Sequence, residues 1–279
     1  LVKQGDESWP LNRESLTFLK NGVETSFDVI FNAIHGHPGE DGYLQALFDL
    51  NGIPHSSCGF FESALTFNKH KTNTLLKSQG ITVPKSKFIT KDEHIIPEQI
   101  AQEFGLPLFV KPNRSGSSFG VTKVSTVNKL PSAIEAALKE DDQIIIEEAI
   151  IGTEVGCGVC KHDGITESIA VTEIVSKNDF FDYEAKYLGA SEEITPARIS
   201  AERYAQISKT SEFIYNYLNL WGLVRIDYII RNDEAYLIEV NSIPGLSPAS
   251  IVPQQLAYRG WSLSSFFGGL LMDSMNKKH

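Results

Sequence analysis

The sequence predicts an α/β protein with a mainly antiparallel C-terminal part, and three observations carry that expectation. The chain of 279 residues is 42% hydrophobic and 22% charged, the balance of a globular protein long enough for two or three modest domains or one large one. From residue 27 to residue 148, apolar runs of strand length alternate with segments of helical period. Beyond residue 150, apolar runs follow one another as candidates for antiparallel pairing.

The net charge of −10 lacks the basic footprint of a general nucleic-acid binder. No apolar run reaches the length of a membrane-spanning helix. The opening L-V-K-Q-G-D-E-S-W-P matches neither a signal nor a transit peptide. These features predict a cytoplasmic protein with no nucleic-acid or membrane partner.

The first fifty or so residues read as the tail of an α/β unit. F-D-V-I-F-N-A-I (27–34) suits a buried parallel strand and runs into the Gly-rich turn H-G-H-P-G-E-D-G (35–42). Y-L-Q-A-L-F-D-L has helical spacing and stops at Gly52, and 53–58 suits another short strand. One helix is expected over 64–80, then a strand over 81–89, a helix over 97–105 and a strand over 106–112. The loop N-R-S-G-S-S-F-G (113–120) precedes a strand at 121–124, a helix at 128–140 and a strand at 143–150. Strands are expected over 154–160 and 168–175, a loop over 176–193, a helix over 200–219, a hairpin over 224–241, and a closing helix over 249–272. Cys157 and Cys160 form C-x-x-C, but on a strand positions three apart face opposite sides, which predicts two unpaired cysteines.

In Y-L-I-E-V-N-S-I-P-G (236–245), Glu239 and Asn241 lie two apart on a strand and share a face, an arrangement that suits a hard cation. Arg225 and Asp227 share a face of the preceding strand. A three-residue loop at 232–234 closing Arg231 against Ala235 sets Asp227 opposite Glu239 and Arg225 opposite Asn241. The other face, Ile226, Tyr228, Ile230, Tyr236, Ile238 and Val240, is then the core face. Opposed carboxylates are unfavourable without a counterion, and a divalent cation supplies one.

Lys111 ends an apolar strand and is followed by S-G-S-S-F-G. Its glycines free backbone N–H groups to turn toward an anion, and Ser115, Ser117 and Ser118 add donors. The spacing is not that of a P-loop. Lys69 and Lys186 are further candidates for phosphate.

Taken together, H-G-x-P-G-E-D-G (35–42), S-A-L-T-F-N-K (63–69), V-K-P-N-R-S-G-S-S-F-G (110–120), I-I-E-E (145–148), D-Y-E-A-K-Y (182–187), R-I-D (225–227) and E-V-N-S-I-P-G-L-S-P-A-S (239–250) resemble the ATP-grasp superfamily. Within it they resemble the D-alanine–D-alanine ligases. The resemblance implies a partial Rossmann-like N-terminal domain over 1–57, a central α+β domain over 58–147 and a C-terminal antiparallel-sheet domain over 148–279, with ATP between the last two. It implies ligation of two D-alanines through an acyl phosphate, for peptidoglycan precursor synthesis, by a homodimer. The alternatives are another ATP-grasp carboxylate–amine or D-hydroxy acid ligase, or an inactive nucleotide-binding fragment.

By the same resemblance, Asp227, Glu239 and Asn241 hold two Mg2+ or Mn2+ ions, and Lys69, Lys111, Lys186 and Ser118 bind the phosphates. Glu147, Glu148 and the backbone of Ile150 lie near adenine, and Glu154 reaches the ribose. Arg225 and the N–H of Gly245 stabilise the tetrahedral oxyanion. Ser250 and the N–H of Ile251 take the second substrate's carboxylate, and His35 lines the corner of the first. The segment 176–193 is expected to be a lid, with Tyr187 and Ser117 setting the choice of an amine nucleophile. The family also opens with a strand and a G-G-x-S-x-E loop that matches nothing here, so the chain is expected to start about one βα unit late.

Overall fold

The computed structural model describes residues 1–116, 119–162, 164–176 and 191–277. Ser117, Ser118, Lys186 and Tyr187 lie outside the described residues, as does most of the expected lid.

The first residues form small antiparallel strands where the sequence suggested the tail of an α/β unit. Strands β1 (Val2–Gln4) and β2 (Glu7–Trp9) pair, and β3 (Leu11–Asn12), β4 (Thr17–Lys20) and β5 (Val23–Thr25) form a meander. The expected strands at 27–34 and 53–58 reduce to one parallel bridge, Ile30 with His55. Side chains take over the ladder at this point. Asn32 N–H donates to Ser56 Oγ at 3.0 Å, and Asn32 Oδ1 accepts from Ile34 N–H at 3.1 Å. Helix α1 (Tyr43–Leu50) follows as expected.

The helix expected over 64–80 is two, α2 (Phe60–Phe67) and α3 (Lys69–Ser78). Asn68 between them is extended, and its side chain caps α3 by accepting from Lys71 N–H. Asn113 accepts from the next two amides, with its carbonyl on Lys69 N–H and its Oδ1 on His70 N–H. The break thus docks the start of α3 beside the Gly-rich loop, which an unbroken helix would not do.

The central layer is a sheet in the order β6-β9-β7-β8, made of β6 (Ser86–Thr90), β7 (Leu108–Pro112), β8 (Thr122–Val124) and β9 (Gln143–Glu148). Helices α4 (Pro97–Phe104) and α5 (Leu130–Glu140) cover it. Their shared core includes Ile100, Leu108, Val110, Leu130, Ile144 and Ile146.

The large sheet runs β12-β11-β10-β13-β14. Its strands are β10 (Thr153–His162), β11 (Ile165–Ser176), β12 (Ser191–Ile194), β13 (Leu223–Arg231) and β14 (Glu234–Asn241). Residues 191–194 are therefore an edge strand, where the sequence suggested the end of a loop. Helix α6 (Ala201–Tyr217) packs on one face with Cys157, Val171, Ile226, Tyr228 and Leu237. The other face carries Cys160, Ile169 and Leu223 against α7 (Ile251–Tyr258) and α8 (Leu263–Asn276). These two helices replace the single one expected at 249–272.

Cys157 and Cys160 are free and sit in different cores on opposite sheet faces, as the strand reading requires. Burial pushes both thiols up to about 12. Among the described residues no helix is long and apolar enough to cross a membrane.

The β13–β14 hairpin reaches the expected pairing by another route. Its turn has two residues, Asn232 and Asp233, both at positive φ (51 and 62), closing Arg231 against Glu234. That turn alone would put Ile238 opposite Asp227. A β-bulge at Ile238 adds one residue, so Asp227 faces Glu239 and Arg225 faces Asn241 after all. On the turn side β14 is therefore turned over relative to expectation, while β13 keeps Ile226, Tyr228 and Ile230 on the core side. Leu237 is in the core, and Ile238 lines a cavity with Ile229. Tyr236 leaves the core face to accept a hydrogen bond from Arg231 Nη2.

Candidate active site

The break at Asn68 puts Lys69 on the first turn of α3, where its Nζ donates to the Ser115 carbonyl at 2.6 Å and lies 3.4 Å from Glu239. Lys111 leaves β7 beside β9 and meets Glu147 Oε1 at 2.6 Å, with both residues 5% exposed. These groups line a first cavity with Glu148, Ile150, Glu154 and Ile229. Phe109, Pro84 and Val121 supply apolar walls suited to a flat aromatic ring. The Glu148 carboxylate accepts from Lys85 N–H at 2.9 Å and pairs with Arg231.

A second cavity, of about 470 Å³, is lined by His35, Glu40, Arg225, Asn241, Gly245 and Ser250, with Ile251 beside them. Ser115, Gly116 and Phe119 of the Gly-rich loop line both cavities, so the loop lies along their junction. Strand β14 crosses the same junction, with Glu239 on the first cavity and Asn241 on the second.

On the neighbouring strand β13, Arg225 grips Asp227 with Nε on Oδ1 at 2.7 Å and Nη2 on Oδ2 at 2.8 Å. Asn241 Nδ2 adds a bond to Asp227 Oδ2 at 2.9 Å. Burial alone would lower the Arg225 pKa, but the Asp227 carboxylate, with Glu239 and Glu40 behind it, holds it above the ordinary arginine value. Among the described residues no cluster of three His, Cys, Asp or Glu side chains forms a metal site. Asp227, Glu239 and Asn241 on one hairpin face nonetheless fit a hard cation. Their carboxylate and amide oxygens are the donor type such a cation takes.

Gly245 lies within the loop between β14 and α7. A Cβ there would sit 2.7 Å from Ser250 Oγ, so a larger residue would have to displace the Ser250 side chain at the start of α7. Ser250 Oγ is 2.8 Å from Ser247 Oγ.

His35 is not an isolated turn residue. Its Nδ1 donates to the Ile243 carbonyl at 2.8 Å, which fixes the proton on Nδ1 in the neutral ring. Glu40, which the sequence reading passed over inside H-G-x-P-G-E-D-G, accepts from Gly36 N–H at 3.0 Å and from Ile243 N–H at 3.3 Å. The turn at 35–40 is thereby stapled to the loop that presents Gly245. An acid inside a Gly-rich turn was the signal that could have found it. Asn113 and the Arg114–Asp141 pair (2.6 Å) were also missed, since their roles depend on contacts distant in sequence.

Burial raises the Glu40 pKa, outweighing the lowering by its two backbone hydrogen bonds. The folded chain then binds more protons than the unfolded chain just above the ordinary glutamate range. Stability therefore falls as pH rises through that window. Glu40→Gln lacks this slope, so thermal melts from about pH 5 to about pH 8 are expected to shift in favour of the variant as pH rises. A constant difference between the two proteins would contradict it.

Gly158 stands opposite Arg225 in the sheet, and a Cβ on it would overlap Gln255 Oε1. Gly158→Ala is expected to destabilise by about 1–3 kcal/mol, read from the denaturation midpoint.

The family model described as "D-ala D-ala ligase C-terminus" matches residues 75–272. A curated D-alanine--D-alanine ligase of Flavobacterium johnsoniae is 48% identical over 266 residues, covering 95% of this chain and 82% of its own length. Among solved structures, D-alanyl-alanine synthetase A of Vibrio cholerae superposes with a TM-score of 0.86 at 28% identity, covering 96% of this chain and 83% of that one. The VanG D-Ala:D-Ser ligase of Enterococcus faecalis superposes with a TM-score of 0.81 at 38% identity, over 94% and 77% of the two chains.

Proposed function

This chain belongs to the D-alanine–D-alanine ligase family, and from that premise we propose that the two cavities are the nucleotide and amino-acid halves of one active site. The reaction is the ATP-dependent joining of two D-alanines. The observation that carries the assignment is the crossing of β14, with Glu239 on one cavity and Asn241 on the other, opposite the Arg225–Asp227 pair. A phosphoryl group leaving a nucleotide in the first cavity for a carboxylate in the second passes that crossing.

The carboxylate of the first D-alanine attacks the γ-phosphorus. The bond to the bridging oxygen breaks, and ADP leaves with the electron pair. Lys69 and Lys111 hold phosphate oxygens in line for this displacement. Ser118 and Lys186 join them by resemblance. Glu147, Glu148 and the backbone of Ile150 border the adenine, and Glu154 the ribose. Mg2+ or Mn2+ bound by Asp227, Glu239 and Asn241 supplies charge neutralisation at the phosphates.

The amine of the second D-alanine then attacks the acyl phosphate carbon. Arg225 and the Gly245 N–H stabilise the oxyanion, the C–O bond to phosphate breaks, and the amine's proton leaves with the departing phosphate as the peptide bond forms. Ser250 and the Ile251 N–H hold the second carboxylate at the start of α7. His35 borders the first substrate, and Tyr187 with Ser117 sets the nucleophile. We further assign the domain boundaries near residues 57 and 147, a homodimeric state and a cytoplasmic location.

Phosphate release from ATP and Mg2+ tests the reading. Release is expected to require D-alanine and to stop on chelation of the metal. Release that ignores D-alanine would overturn it. D-Serine and D-lactate as second substrates test the alternative ligases, D-serine because the solved VanG D-Ala:D-Ser ligase is 38% identical.

A further inference from the structure

Gln255 lies on the second turn of α7 and is completely buried. Its Nε2 donates to the Gly156 carbonyl at 2.9 Å and to Thr172 Oγ1 at 3.0 Å. Gly156 and Thr172 face each other across β10 and β11, so one side chain bolts the helix to two adjacent strands. Gly156 in turn stands opposite Asp227, and Gly158 opposite Arg225. Position 158 carries no side chain, and the space a Cβ would take there is filled by Gln255 Oε1. That oxygen has no hydrogen-bond partner among the described residues. A hydrophobic residue would fill the same volume without burying an unpaired acceptor. What the amide supplies beyond volume is its two donated bonds, which tie α7 to the sheet.

The polar chain continues. Thr172 Oγ1 and Thr195 Oγ1 are 2.6 Å apart, and Thr195 directly follows the edge strand β12, whose Glu193 lines the second cavity. A single amide thus links the helix start that carries Ser250 and Ile251, the strands behind the Arg225–Asp227 pair, and the edge strand across the cavity.

We infer that Gln255 is a positioning residue for the second substrate. It sets the height of α7 above the sheet, and so the distance from Ser250 and the Ile251 N–H to the oxyanion donors Arg225 and Gly245. The inference rests on the reading of Ser250 and Ile251 as the second carboxylate's site. Gln255 touches neither substrate. A displacement well under the width of an atom at its anchor changes where the attacking amine is held, and rates respond steeply to such errors.

The test is steady-state kinetics on the full chain, separating the two D-alanine steps. Gln255→Leu is expected to raise the KM for the second D-alanine roughly tenfold, while the KM values for ATP and the first D-alanine stay within about twofold. Thr172→Val, a smaller disruption, raises the same constant a few-fold, and Thr172→Ser, which keeps the hydroxyl, restores it. Ser250→Ala is the control. If it raises the second KM while Gln255→Leu and Thr172→Val leave it unchanged, or shift every constant together, the inference falls and the reading of Ser250 stands. If Ser250→Ala itself leaves the second KM unchanged, the assignment of this helix start falls, and the inference with it.

Discussion

Replacing Arg225 by alanine is expected to lower kcat by about a hundredfold or more, with little change in ATP affinity. The guanidinium borders the cavity proposed for the amino acids and is held by both oxygens of Asp227, so its donors are preorganised. The same change removes one side of an ion pair whose members are 12% and 8% exposed. It should also destabilise the fold, by about 3 kcal/mol, less whatever Asn241 recovers through its own bond to Asp227. Arg225→Lys separates the two effects. It keeps a positive charge beside Asp227 but loses the two-pronged geometry. Its melting temperature should stay near that of the wild type while kcat remains low. A lysine variant with wild-type kcat would refute the oxyanion role.

Lys111→Ala is expected to be damaging for a different reason. Lys111 and Glu147 are buried together at 2.6 Å. Removing the lysine strands a carboxylate in the wall of the first cavity, at about 3 kcal/mol or more. If Lys111 holds phosphate as proposed, ATP binding should weaken by at least about tenfold. The double variant Lys111→Met with Glu147→Gln restores most of the stability but not the ATP affinity. Calorimetric titration with ATP and a denaturant melt on each protein give both numbers. Recovery of ATP affinity in the double variant would mean that Lys111 serves the fold alone.

How much of the site was legible in sequence differs from residue to residue. Glu239 and Asn241 could be placed on one face because strand alternation is local. Their opposition to Asp227 and Arg225 was also expected, but for the wrong turn. The three-residue loop does not exist, and a two-residue turn with a bulge at Ile238 arrives at the same pairs. A bulge is decided by cross-strand packing, here Leu237 in the core and Ile238 in the cavity wall. No run of residues announces it. The break between α7 and α8 is local, with Gly260 at positive φ and Ser262 capping α8, but the break at Asn68 escaped for a related reason. Asn68 becomes a cap because Asn113, far along the chain, supplies carbonyl and amide oxygens to the freed N–H groups.

Taken alone, the sequence determined the class of the fold, most strand and helix positions, the shared face of the hairpin's polar residues and the family to which the motifs belong. Each of these follows from local periodicity, turn chemistry or the order of short motifs. Only the tertiary structure decided that the Gly-rich loop and β14 run along the junction of two cavities. It also decided that Glu40 and His35 staple the N-terminal turn to Ile243, and that Gln255 bolts α7 to the sheet. These contacts join residues tens to hundreds of positions apart. Buried donors and acceptors must find partners wherever packing brings them, and the local pattern of the chain does not encode which distant group that will be.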